Sequence, residues 1–448
     1  MIPSAFERLQ GRIADRSARI GILGLGYVGI PLARAFTQAG FRVRGFDVCA
    51  ERVQTLHEGR SPIAHFPDAE IARMRAHDRL VVGSDPALLR EVDAALICVP
   101  TPIDDARDPD LSCVREATRA IAAAMEPGVL VVLESTTYPG TTDEVVRPIL
   151  EESGLTLGEG FFLAFSPERE DPGNRRFTTS NIPKLVGGVD GASGALAESL
   201  YLAAIETVVR VSDARTAEAA KVLENTYRSV NIALVNELKI AFDRMGIDIW
   251  EAIAAASTKP FGFHPFYPGP GLGGHCIPVD PHYLSWRARQ FGASTRFIDL
   301  AGEVNAAMPE YVVGQVIEAL NRDGKALSRS EVLVLGVAYK RDIDDTRESP
   351  ALKIIAKLRR LGARVHYHDP FVPALRPGHG FPHGMESVPL DAETIASADL
   401  VLVVTDHTRV DYDLIAEHAV AVVDTRNCVP VTSTRTADVR PTSVDALS

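Results

Sequence analysis

The chain has 448 residues, of which 46% are hydrophobic and 24% are charged, and its formal net charge is −12. This composition is typical of a globular protein of two or three domains, and the acidic balance argues against a nucleic-acid partner. No apolar run is long enough to span a membrane, and residues 1–10 lack the apolar core of a signal peptide, so we expect no membrane partner.

The first predicted unit is a strand, a glycine turn, a helix and a second strand. Residues 18–23 lead into Gly24-Leu-Gly-Tyr-Val-Gly29, and the next strand ends at Asp47, 23 residues after the first glycine. In this order the glycines let a pyrophosphate approach the helix N-terminus. The Asp47 carboxylate would accept hydrogen bonds from a ribose diol and repel a 2′-phosphate, which favours NAD over NADP. Arg52 weakens that charge argument, because it could contact the adenosine or its phosphates.

Apolar runs alternate with helical patterns from residue 18 to about residue 210. This alternation predicts a parallel sheet covered by helices, with ligands beyond the carboxyl ends of the strands. The loops at residues 100–102 and 134–139 follow two such strands, so we expect them to border the cofactor.

A long helix without glycine or proline is predicted from Asp213 to Met245, with Ser212 or Asp213 as its cap. Apolar residues recur along it at spacings of three and four, which favours a helix that bridges domains or forms a dimer interface. Lys221 and Asn225 are four residues apart and share one face. The alternative is that both are solvated polar residues on a surface helix.

The segment from Pro268 to Pro281 contains one thiol, Cys276, after Gly269, Gly271, Gly273 and Gly274 and before Asp280. A thiol in such a loop can attack a carbonyl once a base or the local field favours the thiolate. The alternative is a tight turn with a buried structural cysteine. The other four cysteines have no suggestive neighbours, and we expect Cys98 in the core; they are Cys49, Cys98, Cys113 and Cys428. The chain has only five cysteines, an odd number, and they are not spaced like metal ligands. This predicts reduced thiols in the cytoplasm and no bound metal.

From residue 331 the chain repeats the plan of residues 18–47, with a second strand that ends at Asp369. The glycine turn is replaced by a loop at residues 338–349 that carries Lys340, Arg341 and Arg347. The repeated plan with a different loop predicts a nucleotide-binding fold that is adapted to another ligand, with cations that could pair with phosphates. A solvated charged loop is the alternative.

A nicotinamide site and a thiol in one chain suggest oxidation of an aldehyde to the acid level, through a thiohemiacetal and a thioester. Lys221 and Asn225 could stabilise the oxyanion. Hydrolysis of the thioester also needs a carboxylate that acts on the attacking water. The candidates are Glu168, in Ser166-Pro-Glu168 after the apolar run 161–165, and Asp280. Two other hypotheses are a two-electron alcohol or hydroxy-acid dehydrogenase, and a dinucleotide-sensing binding protein without turnover.

Five segments resemble the UDP-glucose/GDP-mannose dehydrogenase family, in the family's order. They are Gly24 to Gly29, Ser166-Pro-Glu168, Lys221 with Asn225, Gly273-Gly-His-Cys-Ile-Pro-Val-Asp280, and Asp345-Thr-Arg-Glu-Ser349. Residues 263–281 and 166–174 are most similar to the branch that oxidises UDP-N-acetylglucosamine. The resemblance implies an α/β protein with two Rossmann-like doubly wound domains joined by a long central helix. It also implies oxidation of a sugar primary alcohol to a uronic acid with two NAD, for surface polysaccharide precursors.

The resemblance assigns roles to individual residues. Cys276 would be the nucleophile, Lys221 the oxyanion stabiliser and Glu168 the general base, while the residues around the water would be Asn225, Asp280 and Thr136. The residues expected to contact NAD are Gly24, Gly26, Tyr27, Val28, Gly29, Asp47, Arg52, Thr101, Ser135, Thr136 and Arg347. Those expected to border the UDP-sugar are Glu168, Lys221, Asn225, Gly269, Gly271, Gly273, Gly274, Tyr339, Lys340 and Arg426.

The expected domains are an N-terminal extension (1–17), an NAD-binding domain (18–211), a central helical domain (212–310) and a UDP-sugar-binding domain (328–448). A homodimer or higher homo-oligomer is expected. One departure is Pro172, where UDP-glucose dehydrogenases usually have a second glutamate; Glu170 and Asp171 are nearby. This departure weakens a simple UDP-glucose assignment and leaves the second acidic role open. The alternative substrates are UDP-glucose, UDP-N-acetylmannosamine and UDP-N-acetylgalactosamine.

Overall fold

The computed structural model describes residues 3–63, 66–104, 108–170, 178–274, 277–377 and 383–430. The chain divides into two compact units. The first comprises Met1–Glu224 and Val279–Ser294, and the second comprises Asn225–Pro278 and Thr295–Ser448. Within the described ranges, no helix combines the length and the apolar character needed to cross a bilayer.

An eight-stranded sheet forms the centre of the first unit. Its strands are β1 (Arg19–Leu23), β2 (Arg42–Phe46), β3 (Leu80–Gly83), β4 (Ala94–Ile97), β5 (Val129–Leu133), β6 (Phe161–Phe165), β7 (Lys184–Gly188) and β8 (Val208–Arg210). Their order is β3-β2-β1-β4-β5-β6-β7-β8, and every pair is parallel except β6 with β7. The described residues between β6 and β7 form no helix, and a parallel crossover would normally contain one.

Helices cover both faces of this sheet. They are α1 (Ala5–Ala14), α2 (Gly29–Gln38), α3 (Ala50–His57), α4 (Asp68–Arg75), α5 (Ser112–Ala124), α6 (Arg147–Glu151) and α7 (Gly191–Leu202). Ala94 and Leu96 belong to one buried cluster, whereas Ala95 and Ile97 belong to another. Successive residues of a strand point to opposite faces, so both faces are covered, as in a doubly wound sheet. Cys98 lies one residue beyond β4, not in the strand, and is half-buried against the first cluster.

Four helices follow the first sheet. They are α8 (Ala214–Met245), α9 (Ile249–Ser257), α10 (Asp280–Gln290) and α11 (Arg296–Arg322). The 32 residues of α8 confirm the long central helix, which begins in the first unit and ends in the second. Asp213, and not Ser212, caps it, because Asp213 Oδ1 accepts a hydrogen bond from the Thr216 amide at 2.7 Å.

The second unit has a smaller parallel sheet in the order β10-β9-β13-β14 and a separate two-stranded ribbon of β11 and β12. The strands are β9 (Glu331–Leu335), β10 (Arg364–His368), β11 (Ala374–Leu375), β12 (Met385–Glu386), β13 (Leu400–Val403) and β14 (Val422–Asp424). The helices are α12 (Pro350–Arg360), α13 (Ala392–Ser397) and α14 (Tyr412–His418). β9 pairs with β10 as β1 pairs with β2, which confirms the repeat and the predicted α/β class with two Rossmann-like units.

Candidate functional site

The glycine turn between β1 and α2 has the geometry of a dinucleotide site. Gly24 has a φ of +95°, and a Cβ on it would lie 2.4 Å from the Cys98 carbonyl oxygen. A Cβ on Gly29 would lie 1.9 Å from the Gly24 carbonyl oxygen, so packing alone requires both glycines. A Cβ on Gly26 would have no neighbour within 4 Å. The open side of the turn is therefore at Gly26, where a pyrophosphate can approach the first amides of α2. Tyr27 and Val28 are half-buried beside it.

Asp47 follows β2, and only 3% of its surface is exposed. Its Oδ2 accepts hydrogen bonds from the Leu25 amide and from Arg52, both at 2.8 Å, and its Oδ1 accepts one from the Cys49 amide at 2.8 Å. The carboxylate is thus held against the glycine turn. Arg52, which the sequence suggested as a contact for the adenosine, pairs with Asp47, and its contact with the cofactor stays a prediction.

Replacement of Asp47 by asparagine should raise the preference for NADP. The amide can keep the hydrogen bond from Leu25, whereas the negative charge disappears and Arg52 is released toward a 2′-phosphate. The kcat/KM ratio of NADP to NAD should rise at least about tenfold, a difference of about 1.4 kcal/mol. Asp93→Asn is the matched control, because Asp93 also pairs with an arginine (Arg12) and accepts a backbone hydrogen bond, but lies before β4. An unchanged ratio in the Asp47 variant would place Asp47 away from the ribose.

The loops after β4 and β5 are tied to each other and to α10. Ser135 Oγ donates to the Val99 carbonyl at 2.7 Å, and the Tyr283 hydroxyl lies 2.6 Å from the Thr101 carbonyl oxygen. Thr136, the next residue along the β5 loop, is half-buried. The hydrogen bonds fix the two loops that the sequence predicted at the cofactor edge.

Glu218 of α8, which is not among the predicted site residues, anchors the far end of the β5 loop. Its carboxylate accepts hydrogen bonds from the Gly140 amide at 2.5 Å, the Thr142 amide at 2.9 Å and the Thr142 hydroxyl at 2.6 Å. The side chain is fully buried, and burial raises the pKa of Glu218 to about 7 despite these hydrogen bonds. No local signal marks such a residue, because its partners are more than 70 positions away.

The raised pKa of Glu218 predicts a pH-dependent stability. Between about pH 4.5 and pH 7 the folded protein keeps a proton that the unfolded chain has lost, so the free energy of unfolding falls as pH rises through this window. The expected loss is on the order of 3 kcal/mol. Glu218→Gln cannot ionise, so urea unfolding at pH 5 and pH 8 should show less of this decrease than the unaltered protein. Glu126→Gln, at an exposed position two residues after the end of α5, should leave the pH dependence unchanged, and an equal decrease in all three proteins would contradict the assignment.

Glu168 and Lys221, which come from different predicted motifs, meet in the first unit. Lys221 Nζ donates to the Glu168 backbone carbonyl at 2.5 Å. Glu168 Oε1 accepts hydrogen bonds from the backbone amides of Arg169 and Glu170, at 2.6 and 2.5 Å. Its Oε2 is buried and forms no hydrogen bond with any residue that the structure describes. The site therefore contains an ammonium on the backbone carbonyl of Glu168, and the carboxylate of the same residue has one oxygen without a hydrogen bond from a described residue. These groups suit oxyanion stabilisation and proton transfer.

The other residues predicted to be catalytic are divided between the two units. Lys221 and Asn225 are 5% and 0% exposed, which excludes the interpretation that both are solvated. Asn225 Oδ1 accepts a hydrogen bond from Arg228 within the second unit. Asp280 is buried at the start of α10, in the first unit. Cys276 lies outside the described residues, as do Asp171 and Pro172, so their roles stay predictions.

In the second unit, the glycine-rich segment packs on the residues predicted to bind substrate. A Cβ on Gly273 would lie 2.6 Å from Tyr339 Cβ, and the Gly274 amide donates to the Arg347 carbonyl at 3.1 Å. A Cβ on Gly269 would lie 2.8 Å from the Arg426 guanidinium. Gly271 lies between these contacts with a φ of +123°. The structure thus places Gly273 and Gly274 on Tyr339, and Gly269 beside Arg426.

The predicted cations of this unit have different surroundings. Arg426 Nε donates to Asp406 Oδ1 at 3.1 Å, and Arg347 Nε donates to both oxygens of Asp345, at 2.8 and 2.9 Å. Lys340 is half-buried in the same loop as Tyr339. Arg347 is exposed, and its proposed contact with the cofactor stays a prediction.

Asp369, the counterpart of Asp47, has a structural role that the sequence did not reveal. Its Oδ2 accepts hydrogen bonds from the backbone amides of Val337 and Ala338, at 2.8 and 3.1 Å. The same oxygen lies 3.0 Å from His407 Nε2. His407 Nδ1 accepts the Asp342 amide, so Nε2 carries the proton and donates to Asp369. Asp369 is as buried as Asp47, but its partner is a buried histidine, whereas the partner of Asp47 is the half-buried Arg52.

No group of three or more potential metal ligands occurs among the described residues. The groups present at Gly26, α2 and Asp47 fit NAD: open space over helix amides and a carboxylate at the end of the second strand.

Three consecutive parts of the chain match the UDP-glucose/GDP-mannose dehydrogenase family. Residues 18–205 match its NAD binding domain, residues 215–307 its central domain and residues 333–431 its UDP binding domain.

The chain is similar to several characterised proteins over most of its length. It is 36% identical over 395 residues to UDP-N-acetyl-D-mannosamine dehydrogenase of Pyrococcus horikoshii, which covers 87% of this chain and 89% of the relative. It is 37% identical over 361 residues to UDP-N-acetyl-D-glucosamine 6-dehydrogenase of Pseudomonas aeruginosa, with coverage of 80% and 84%. The solved structure of the Pyrococcus horikoshii enzyme superimposes with a TM-score of 0.83 at 33% identity, covering 93% of this chain and 98% of that one.

Proposed function

The chain belongs to the UDP-glucose/GDP-mannose dehydrogenase family and is an NAD-dependent oxidoreductase, and from that premise we propose that it oxidises UDP-N-acetylglucosamine to UDP-N-acetylglucosaminuronate. The observation that carries the four-electron chemistry is the contact between Lys221 and Glu168, with the Lys221 ammonium 2.5 Å from the Glu168 carbonyl oxygen. The choice of sugar rests on the similarity to UDP-N-acetyl-D-glucosamine 6-dehydrogenase. A simple two-electron dehydrogenase needs neither a thiol nor a base for hydrolysis. A four-electron enzyme needs both.

Bound NAD supplies a hydride acceptor, once for the alcohol and once for the thiohemiacetal. In the proposed reaction the Cys276 thiolate adds to the aldehyde carbon, and Lys221 stabilises the oxygen that becomes negative. Loss of the second hydride leaves a thioester on Cys276. Water then adds to its acyl carbon, Glu168 accepts a proton from that water, and the C–S bond breaks to release the acid and the thiolate. Residues proposed to hold the water are Asn225, Asp280 and Thr136.

We assign the UDP part of the substrate to the second unit. The supporting observation is the packing of Gly273 and Gly274 on Tyr339, with Gly269 next to Arg426. A guanidinium and the nearby Lys340 can pair with diphosphate oxygens. Gly271 gives the segment its left-handed turn.

UDP-N-acetylmannosamine is the second candidate substrate, because a relative with that name is 36% identical over 87% of the chain. A panel of UDP-sugars with NAD and with NADP tests the choice, with NADH counted per sugar consumed. UDP-N-acetylglucosamine should give the highest kcat/KM and two NADH. A higher kcat/KM for another sugar would change the substrate, and one NADH per sugar would contradict the four-electron reaction.

We further propose a homodimer in the cytoplasm, with α8 at the interface. Leu223, Tyr227 and Leu234 of α8 are 65%, 50% and 53% exposed, which is unusual for three large apolar residues of one helix. Light scattering at assay concentration should give twice the chain mass, and Leu223→Glu with Leu234→Glu should halve it. Leu202→Glu, at an equally exposed leucine of α7, is the control. A fully active monomer would refute the dimer.

A further inference from the structure

A buried ion cluster lies behind Glu168 in the first unit, and none of the roles assigned above uses it. Lys184, the first residue of β7, has a side chain that is only 5% exposed. Its Nζ lies 2.5 Å from Glu134 Oε2 and 3.2 Å from the Pro167 carbonyl oxygen. The Tyr201 hydroxyl donates to the other oxygen of Glu134, whose side chain is fully buried. The ammonium is therefore fixed from several directions.

Lys184 also faces Glu168. Its Nζ lies 3.9 Å from Glu168 Oε2, the oxygen without a hydrogen bond among the described residues. At that distance the cation acts through its field and leaves the lone pairs of Oε2 free. A carboxylate with a buried oxygen and no nearby cation tends to take up a proton, and a protonated carboxyl cannot act as a base.

We propose that Lys184, held in place by Glu134 and Tyr201, is a positioning residue that keeps Glu168 ionised with Oε2 free for thioester hydrolysis. In that step an O–H bond of water breaks and its proton moves to Oε2, while the water oxygen bonds the acyl carbon and the C–S bond to Cys276 breaks. The inference rests on the proposed function, in which Glu168 is the base.

Other charged and titratable groups act on the same cluster, from several elements. They are Glu134 after β5, Cys98 after β4, Tyr201 on α7, Lys221 on α8, Glu170 next to Glu168, and Arg34 on α2. Burial raises the pKa of Glu170, and the charge of Glu168 adds to the effect. Burial opposes the charge of Lys184, but Glu134 and Glu168 more than offset this and raise its pKa. These carboxylates therefore favour the charged form of Lys184, although burial also raises the pKa of Glu134 against the opposing effect of Lys184.

Two variants change the effect of Lys184 on Glu168 in opposite directions. Lys184→Met with Glu134→Gln removes the cation without leaving an isolated buried charge, so Glu168 should take up a proton more easily. Glu134→Gln alone removes the negative charge that competes with Glu168 for the Lys184 ammonium. Glu168 should therefore resist protonation more strongly. A purely structural role of Lys184 would not produce pH shifts of opposite sign.

The test is the pH dependence of uronate formation in acid-quenched single turnovers with UDP-N-acetylglucosamine and NAD. The acid limb should move up by roughly 1 pH unit in the double variant and down in Glu134→Gln. Lys325→Met, which breaks the Lys325–Asp399 ion pair in the second unit, should not move it. A folded double variant with an unshifted limb would overturn the proposal. If the double variant does not fold, an unshifted limb in Glu134→Gln overturns it.

Glu168→Gln separates failure of this inference from failure of the proposed function. If Glu168→Gln abolishes hydrolysis but the acid limb does not respond to the cluster variants, only the role of Lys184 is wrong. If Glu168→Gln hydrolyses the thioester at the unaltered rate, Glu168 is not the base, and the proposed mechanism and this inference fall together.

Discussion

Serine in place of Cys276 should lower the yield of NADH from two per sugar to one. The hydroxyl is a much weaker nucleophile than a thiolate at neutral pH, and any ester that it forms has a poorer leaving group for hydrolysis. The first oxidation needs no thiol, so the aldehyde should accumulate, with one NADH per sugar, while uronate does not. An ester trapped on the serine would instead contain the second oxidation and give two NADH per enzyme in a single turnover. Mass spectrometry of the quenched protein and NADH absorbance together distinguish these products.

Cys113→Ser is the matched control, because Cys113 is a free, half-buried thiol on α5. It should keep the yield at two NADH per sugar. Normal uronate formation by Cys276→Ser would refute the covalent mechanism, whatever the sugar.

Alanine in place of Gly26 should abolish most NAD binding without unfolding the protein. A Cβ there would meet no protein atom within 4 Å, so the fold should tolerate it. The same methyl group would occupy the open side of the turn, where a pyrophosphate must approach the amides of α2. Calorimetric titration should show the Kd for NAD raised at least about tenfold, and more if the pyrophosphate loses several hydrogen bonds.

Gly11→Ala separates this effect from a general response to alanine. Gly11 lies within α1, where a Cβ also has open space, and alanine in a helix stabilises by about 0.5–1 kcal/mol. This control should bind NAD normally. If Gly26→Ala also bound NAD normally, the glycine turn would not be the pyrophosphate site.

Local sequence signals were sufficient to predict the features that depend on residues close together in the chain. The glycine turn, the acid after β2, the long helix and the repeated strand–helix–strand plan all follow from spacing and periodicity, because backbone geometry limits which residues each position accepts. The antiparallel pairing of β6 with β7 was not predicted, since a buried strand has the same pattern in either direction.

The sequence by itself determined the family, the cofactor and the two Rossmann-like units, because each rests on short motifs whose backbone requirements are local. Only the tertiary structure decided what lies behind those motifs: the cation of Lys184 near Glu168, the Glu218 carboxylate on the β5 loop, and the Asp369–His407 pair. In each set the partners are separated by 16 to 78 residues, and the energy of a buried charge depends on which groups folding places within a few ångströms of it. No periodicity in a sequence encodes that distance.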